Sequence, residues 1–405
     1  MIRKETVKVL VVHNYYQQRG GEDATFEQEC RLLTRFGHTV IPYQRSNKEI
    51  EGAGAWARLR APLDIVWNAR RRREFLALLQ AERPDVVHVH NTFFTISTSI
   101  FAACQEAGVP VVQTLQNYRL FCPVAVFFRD GKVCEDCMQY SLWHGIRHGC
   151  YHNSRRDTTV VAAMIKINRV LKTWPGNVDG FIAVTPFGRR KLIEGGLPAE
   201  RVMVKPNFVD PDPGEGGGER DYALFVGRLS PEKRAATMLR AWRKLDRPVP
   251  LKIAGSGPEQ EDLQEMARRI GLKNVEFLGQ TPRENTLALL KGARFLVFPS
   301  EWYEGFPVTI CEAFACGTPV ICSRMGAMEE IVEDRRSGFH FPPGDADALA
   351  ERAGWAWSHP EEMRRMGSEA RREFESKYTV EKNHPLLIEI YNWAIARKRG
   401  SPDPI

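Results

Sequence analysis

Short runs of β-branched and aliphatic residues alternate along this chain with longer stretches in which apolar positions recur every three or four residues. That alternation predicts parallel strands joined by crossover helices. In the first half, Val7–Val12, Val86–His90, Val109–Leu115, Gly180–Thr185 and Val202–Lys205 are predicted strands, with a helix over Asp23–Phe36 and a longer helical region over Trp56–Gln80. The stretch Pro211-Asp212-Pro213-Gly214-Glu215-Gly216-Gly217-Gly218 has neither periodicity nor enough apolar surface to pack, which predicts a domain boundary. Beyond it the pattern restarts, with strands predicted at Tyr222–Val226, Leu251–Ala254, Val275–Leu278, Phe295–Phe298 and Val320–Cys322. The expected fold is therefore α/β, two Rossmann-like doubly wound halves. Such sheets bind ligands at the carboxyl ends of their strands, so a shared ligand is expected in an interdomain cleft.

Composition narrows the picture. The 405 residues exceed what one core usually spans, and 43% hydrophobic with 26% charged residues is a globular balance. The opening apolar run Val9–Val12 is too short for a signal peptide, and no stretch approaches the roughly 18 apolar residues of a membrane span. A cytoplasmic protein is expected. Nine cysteines, an odd number, argue against a disulfide framework. The net charge of +7 is unevenly shared, with 29 Lys and Arg against 19 Asp and Glu in residues 1–205. That basic half suits an anionic acceptor or the inner face of an anionic membrane. Arg70-Arg71-Arg72-Arg73, with Arg58, Arg60, Trp56 and Trp67 nearby, reads either as a solvated charge run or as a basic amphipathic surface for such a membrane.

Two segments carry candidate chemistry. In Phe225-Val226-Gly227-Arg228-Leu229-Ser230-Pro231-Glu232-Lys233 a strand ends, Gly227 permits close backbone approach, and Arg228 and Lys233 bring two cations to the start of a helix with a proline near its first turn. A diphosphate suits that place. In Pro299 to Ile321 a strand ends, a loop with Gly305, Phe306 and Pro307 follows, and a helix begins near Pro307. Glu304 in the loop and Glu312 on the helix offer carboxylates, which match the hydroxyls of a sugar and the diol of a ribose. The pairs Asp210–Asp212 and Asp345–Asp347 fall in the linker and at a helix cap, so neither argues for an active-site metal.

A last cluster is Cys122, Cys134, Cys137 and Cys150, in which a central Cys-x₂-Cys pair has the spacing of a tetrahedral zinc site and the outer cysteines flank it evenly. Between them Phe127-Phe128-Arg129-Asp130-Gly131-Lys132 predicts a hairpin with an Asp-Gly turn, too small to hold itself together. The cluster is either a structural zinc site or four ordinary thiols.

Glu304 and Glu312 in their Glu-Gly-Phe-Pro context, Gly227-Arg228-Leu229 with Lys233, the Gly20-Gly21 pair after the first strand, Pro206-Asn207 and Gly255-Ser256-Gly257-Pro258 together resemble the retaining glycosyltransferases of family four, which have the GT-B fold. The resemblance implies domains over residues 1–207 and 208–375, with the tail from 376 to 405 packing back on the first. It implies transfer of a sugar from a nucleotide-diphosphate sugar to an acceptor hydroxyl with retention, in polysaccharide or glycoconjugate synthesis, with no cofactor needed for catalysis. Arg228 and Lys233 would bind the donor diphosphate, Glu312 the ribose, and Glu304 with the Gly305 and Phe306 amides the transferred sugar, while Gly20 and Gly21 close over the phosphates. Members usually carry a histidine after the strand ending near Leu115. This chain has Gln116-Asn117, and Gln116 cannot carry a proton. His90, with His88 on the same face of the preceding strand, stands near that position. The partners so implied are a nucleotide sugar and a glycan or lipid-linked acceptor, with no nucleic acid.

Three other classes share some of these features. A sugar-phosphate phosphorylase needs a pyridoxal-phosphate lysine, which nothing beyond Lys233 offers. A nucleic-acid binder explains the basic half but leaves the strand-end motifs idle. A catalytically weak sugar-nucleotide-binding homologue is compatible with Gln116.

Overall fold

The uninterrupted apolar runs form strands because both faces of their sheets are covered: Val9, Leu10, Val11 and Val12 are all fully buried. The structure, a computed structural model, describes residues 6–17, 20–51 and 62–400. Contacts divide the chain into two units, one of residues up to Ala125, Glu135–Pro206 and the tail from Asn383, the other of Val126–Cys134 and Asn207–Lys382.

The strands in chain order are β1 (Lys8–Tyr15), β2 (Thr39–Ser46), β3 (Val86–Val89), β4 (Val111–Leu115), the short β5 (Phe128–Arg129) and β6 (Lys132–Val133), β7 (Gly180–Ala183) and β8 (Val202–Val204). The first unit's sheet has the order β2-β1-β3-β4-β7-β8, all parallel. β2 escapes the sequence pattern because it is an edge strand that carries Pro42 and is mostly exposed or half-buried. The helical region expected over Trp56–Gln80 is not one helix. Residues 52–61 lie outside the described part, and the rest breaks into 62–66 and Ala69–Glu82, the second capped by the Asn68 side chain accepting from the Arg71 amide at 3.0 Å. Arg70 pairs with Glu74 at 2.8 Å, Arg71 with Glu49 at 2.8 Å and Arg72 with Glu106, so carboxylates lace most of the arginine run.

The second unit contains β9 (Tyr222–Val226), β10 (Leu251–Ala254), β11 (Val275–Gly279), β12 (Ala293–Phe298), β13 (Val320–Ser323) and β14 (Gly338–Phe341), in the order β11-β10-β9-β12-β13-β14. Successive residues of β12 face opposite layers. Phe295 and Val297 pack with Met238 and Leu349, whereas Leu296 and Phe298 pack with Ile310 and Phe374. The Gly-rich linker is pinned after all, since Arg371 grips both carboxylate oxygens of Asp212 at 2.7 Å. Asp345 caps its helix by accepting from the amides of Asp347 and Ala348, as its sequence context predicts.

In each sheet the chain reverses its direction of travel once, between β1 and β3 in the first unit and between β9 and β12 in the second. Loops leaving the carboxyl ends of strands on either side of such a reversal diverge and leave a crevice. Gly20, Gly21 and His90 follow β1 and β3, while Arg228, Lys233 and Glu304 follow β9 and β12.

The first unit also buries charge. Glu29 falls within the buried stripe of helix Gly21–Arg35, between Phe26 and Leu32, and is 1% exposed. Its carboxylate lies 2.9 Å from the Lys205 ammonium beyond β8 and 2.9 Å from His90 Nε2. Burial alone would raise this carboxyl, but the Lys205 ammonium, with the His90 imidazole bonded beside it, outweighs that and holds it well below the usual range. Removing one partner of such a pair strands the other charge. Lys205→Met is therefore expected to destabilise the chain by about 3–5 kcal/mol in urea unfolding, with Glu29→Leu added to it recovering most of the loss. A single variant as stable as the native chain would show that the pair does not hold the helix to the sheet.

Candidate functional site

At the switch point of the second unit two glycine loops touch. A Cβ on Gly255 would fall 1.9 Å from the Gly227 carbonyl oxygen, and one on Gly257 would fall 2.2 Å from that of Leu229. The Gly227 amide donates to Ala254 O at 3.1 Å and the Leu229 amide to Ser256 O at 3.0 Å, so the loops are stapled. Pro231 does not enter the following helix directly. Pro231–Lys233 forms a 3₁₀ turn, Arg234 takes a left-handed φ of 52°, and the helix proper is Ala235–Arg243. The turn aims Lys233 at the loop after β12, while the Arg228 side chain stays exposed.

Lys233 Nζ donates to Glu304 Oε1 at 2.6 Å. Ser300 Oγ and Trp302 Nε1 each donate to the same oxygen at 2.8 Å. Glu304 is 6% exposed, so this convergence is what allows a carboxylate to be buried there. The ammonium also lies 5.1 Å and 5.5 Å from the ring centroids of Phe298 and Trp302, within cation–π reach. Lys233, expected on a diphosphate, is engaged by Glu304 in this state.

Gly305, Phe306 and Pro307 lead into helix Val308–Ala315, with Pro307 as the residue before its first turn. Glu312 sits on the second turn, nearly buried, and accepts from Arg283 Nε at 3.0 Å. Burial raises its carboxyl above the ordinary range, and Arg283 opposes the rise.

In the first unit Gly20 caps helix Gly21–Arg35, donating its amide to Asp23 Oδ2 at 2.9 Å, while Asp23 Oδ1 meets His13 Nε2 at 2.7 Å. Both glycines are exposed, and an added Cβ at either would meet nothing within 4 Å. Asn117 Nδ2 donates to Glu22 Oε1 at 2.6 Å and Tyr16 to Glu22 Oε2 at 3.1 Å. Burial raises the Glu22 carboxyl, and those two bonds offset part of the rise. His90, Gln116 and Asn117 line one cavity of about 40 Å³, together with Phe93, Arg119 and Trp174. His88 lies deeper, bonded through Nδ1 to Tyr391 and through Nε2 to Thr114, both at 2.7 Å. Tyr391 belongs to the terminal helix Val380–Lys398, whose part from Asn383 groups with the first unit.

The hairpin forms as its sequence predicts, with Asp130 at φ 51° and Gly131 at φ 76° in its turn. Cys122 and Cys137 are buried, Cys134 and Cys150 are half-buried, and none is in a disulfide. Glu29, His88 and His90 bring ligand atoms within 4.8 Å of one another, but Lys205 already supplies the cation beside Glu29.

Sequence reasoning missed Glu29, Lys205, Asp23, His13, Glu22, Ser300, Trp302 and Arg283. Glu29 left a signal, an acid at core spacing within an apolar helix stripe, and so did Asp23, at the N3 position of a helix capped by Gly20 and begun by Gly21. The others are joined by distance in space, which the sequence does not carry.

Residues 7–207 match the family described as glycosyl transferase 4-like domain, and residues 212–373 match that described as glycosyl transferases group 1. The D-rhamnosyltransferase WbpZ of Pseudomonas aeruginosa is 32% identical over 161 residues, 39% of this chain and 42% of that protein. The O-antigen chain mannosyltransferase C of Escherichia coli is 29% identical over 180 residues, 44% of this chain and 48% of that protein. The chain thus spans about half the length of these two relatives. HepE of Anabaena, solved in complex with UDP, superimposes with a TM-score of 0.70 over 95% of this chain and 99% of its own, at 17% identity, a likeness of fold. The two parallel sheets here have the Rossmann-like architecture of GT-B proteins.

One consequence of the site's packing is a pH dependence. Burial pushes the His88 imidazole from 6.5 down to about 3. Between those values the unfolded chain takes up a proton that the folded chain refuses, so stability is complete above about pH 6.5 and falls as pH falls. The melting temperature should drop from pH 7 to pH 5 with a shallower slope in His88→Asn; equal slopes would show that His88 does not carry the linkage.

Proposed function

Because this chain belongs to the family-four glycosyltransferases, the group-1 glycosyl transferases of the GT-B fold, we propose that it transfers a sugar from a nucleotide-diphosphate sugar to an acceptor hydroxyl with retention of configuration. The observation that carries this reading is the pair of half-buried Lys233 and buried Glu304 at the switch point between β9 and β12. A cation and a carboxylate held side by side there offer one partner for a diphosphate and one for sugar hydroxyls. Lys233 has further protons to donate, and Glu304 receives all three of its bonds on Oε1, which leaves Oε2 for a ligand hydroxyl.

In this reading Arg228 and Lys233 hold the diphosphate, Glu312 takes the ribose diol, and Glu304 with the Gly305 and Phe306 amides and Pro307 orients the sugar. Gly227, Gly20 and Gly21 let backbone come close to the phosphates. His90, Gln116 and Asn117 line the sugar and acceptor side. The acceptor oxygen bonds to the anomeric carbon as the bond from that carbon to the phosphate oxygen breaks, and the acceptor proton passes to the departing phosphate. No side chain need carry a proton, which accommodates Gln116. The protein's part is alignment and preorganised positive charge where the phosphate charge grows.

The basic first half and the resemblance to rhamnosyl- and mannosyltransferases support a glycan or lipid-linked acceptor, met at an anionic membrane face. Among the described residues no helix is long and apolar enough to cross a membrane. Gln116 favours a second reading, a homologue that binds sugar nucleotides and turns over weakly.

The test is turnover with a panel of sugar nucleotides. Arg228→Ala and Lys233→Ala are each expected to lower it by roughly 10²–10³. Glu312→Ala should weaken nucleotide binding, whereas Glu304→Ala should depress turnover more than affinity. Near-normal turnover in both cation variants would sink the diphosphate assignment, and no turnover by the native chain with any donor would favour the weak homologue. Among the described residues no three of Cys122, Cys134, Cys137 and Cys150 bring their sulfurs within 4.8 Å of one another, so the zinc expected from their spacing is not carried forward.

A further inference from the structure

The second unit has a cavity that this chemistry does not use. Arg220 and Asp221 immediately precede β9, and Arg294 is the second residue of β12. They lie at the amino ends of these strands, while Arg228, Lys233 and Glu304 follow the carboxyl ends. The five residues of β9 separate the two levels by roughly 16 Å. There Arg220, Arg294 and Arg364 line a cavity of about 310 Å³, with Met363 as an apolar wall and the exposed Glu219 and Asp221 also at its edge.

The state of the three guanidinium groups is informative. Arg220 donates to Gly317 O at 2.6 Å and to Cys316 O at 3.1 Å. Arg294 donates to Arg220 O at 2.9 Å and to Trp357 O at 2.8 Å, with its guanidinium carbon 3.9 Å from the centroid of the Trp357 ring. Carbonyl oxygens hold these groups in place without cancelling their charge, and neither arginine pairs with a carboxylate at ion-pair distance among the described residues. Burial lowers both from the ordinary guanidinium value; the Arg364 charge pushes each the same way, while Cys316 and Glu215 oppose the fall at Arg220 and Asp221 opposes it at Arg294. Arg364 pairs with Glu361 but remains largely exposed. The three guanidinium groups outnumber the two exposed carboxylates at the cavity's edge, and arginine forks match the oxygens of phosphate.

We propose that this cavity binds a phosphate monoester or free phosphate, at a site separate from the switch-point crevice. Its volume equals about ten water molecules, more than a lone phosphate fills, so the rest of the space and the Met363 wall suit a sugar-sized body on the phosphate. Occupancy would tie the approach to β9 to the start of helix Pro360–Lys377, which opens at the cavity with Pro360 and whose preceding residue, His359, makes no side-chain cap bond.

The experiment is calorimetric titration of the full chain, in phosphate-free buffer, with inorganic phosphate and separately with glucose 6-phosphate. One site per chain is expected, weakened at least tenfold by Arg364→Ala, partly restored by Arg364→Lys, and unchanged by Arg228→Ala. Tenfold tighter binding of the sugar phosphate would identify an organic monoester as the occupant, and equal affinities would identify free phosphate. Arg364 is exposed, so its replacement should leave the fold intact, which equal melting temperatures without ligand would verify. Absence of saturable heat up to about 10 mM of either probe, or binding that Arg228→Ala abolishes and Arg364→Ala leaves untouched, would overturn the proposal.

Discussion

A carboxylate can be buried at the end of a sheet only if something there answers its charge, and in the second unit that requirement joins Lys233 to Glu304. The pair spans β9 and β12, neighbours in space but far apart in the chain. Everything around it follows from keeping the two loops together. Glycines at 227, 255 and 257 let the backbones meet, the 3₁₀ turn after Ser230 swings the ammonium inward, and Ser300 and Trp302 complete the shell about Oε1. A charged crevice kept in shape before a ligand arrives has little to reorganise when charge develops there.

The first unit solves the same problem with more partners. Glu29 is answered by Lys205 and His90, and Asp23 by His13 and the Gly20 amide. Each network fastens a helix to the strand ends on which the glycine pair and His90 depend. His88 is locked between Tyr391 and Thr114, which makes it a structural strut, while His90 reaches the cavity that Gln116 and Asn117 share. The imidazole at that cavity is therefore also tied to the Glu29 carboxylate.

Much of the fold was legible in the sequence because parallel strands buried on both faces read as unbroken apolar runs. Tyr222–Val226 and Leu251–Ala254 came out residue for residue. β2 was hidden by its exposure and by Pro42, and β14 by Gly338 and His340, which leave it only Phe339 and Phe341 as apolar positions. The motif residues Gly227, Lys233, Glu304 and Glu312 were visible through their glycine and proline surroundings. What they touch was not. Nothing local tells that Lys233 rests on Glu304 or Glu312 on Arg283, because those meetings are made by strand order, and strand order is set by how the helices cover the sheet.

The central claim is that the second unit's crevice is built for a nucleoside diphosphate. The most direct measurement is thermal unfolding against a panel of nucleoside diphosphates that differ only in base. One of them at about 100 times its dissociation constant should stabilise the chain by about 2.7 kcal/mol, with the matching nucleoside giving far less. If no diphosphate raises the melting temperature, or the nucleoside alone does as well, the Lys233–Glu304 crevice does not serve that ligand.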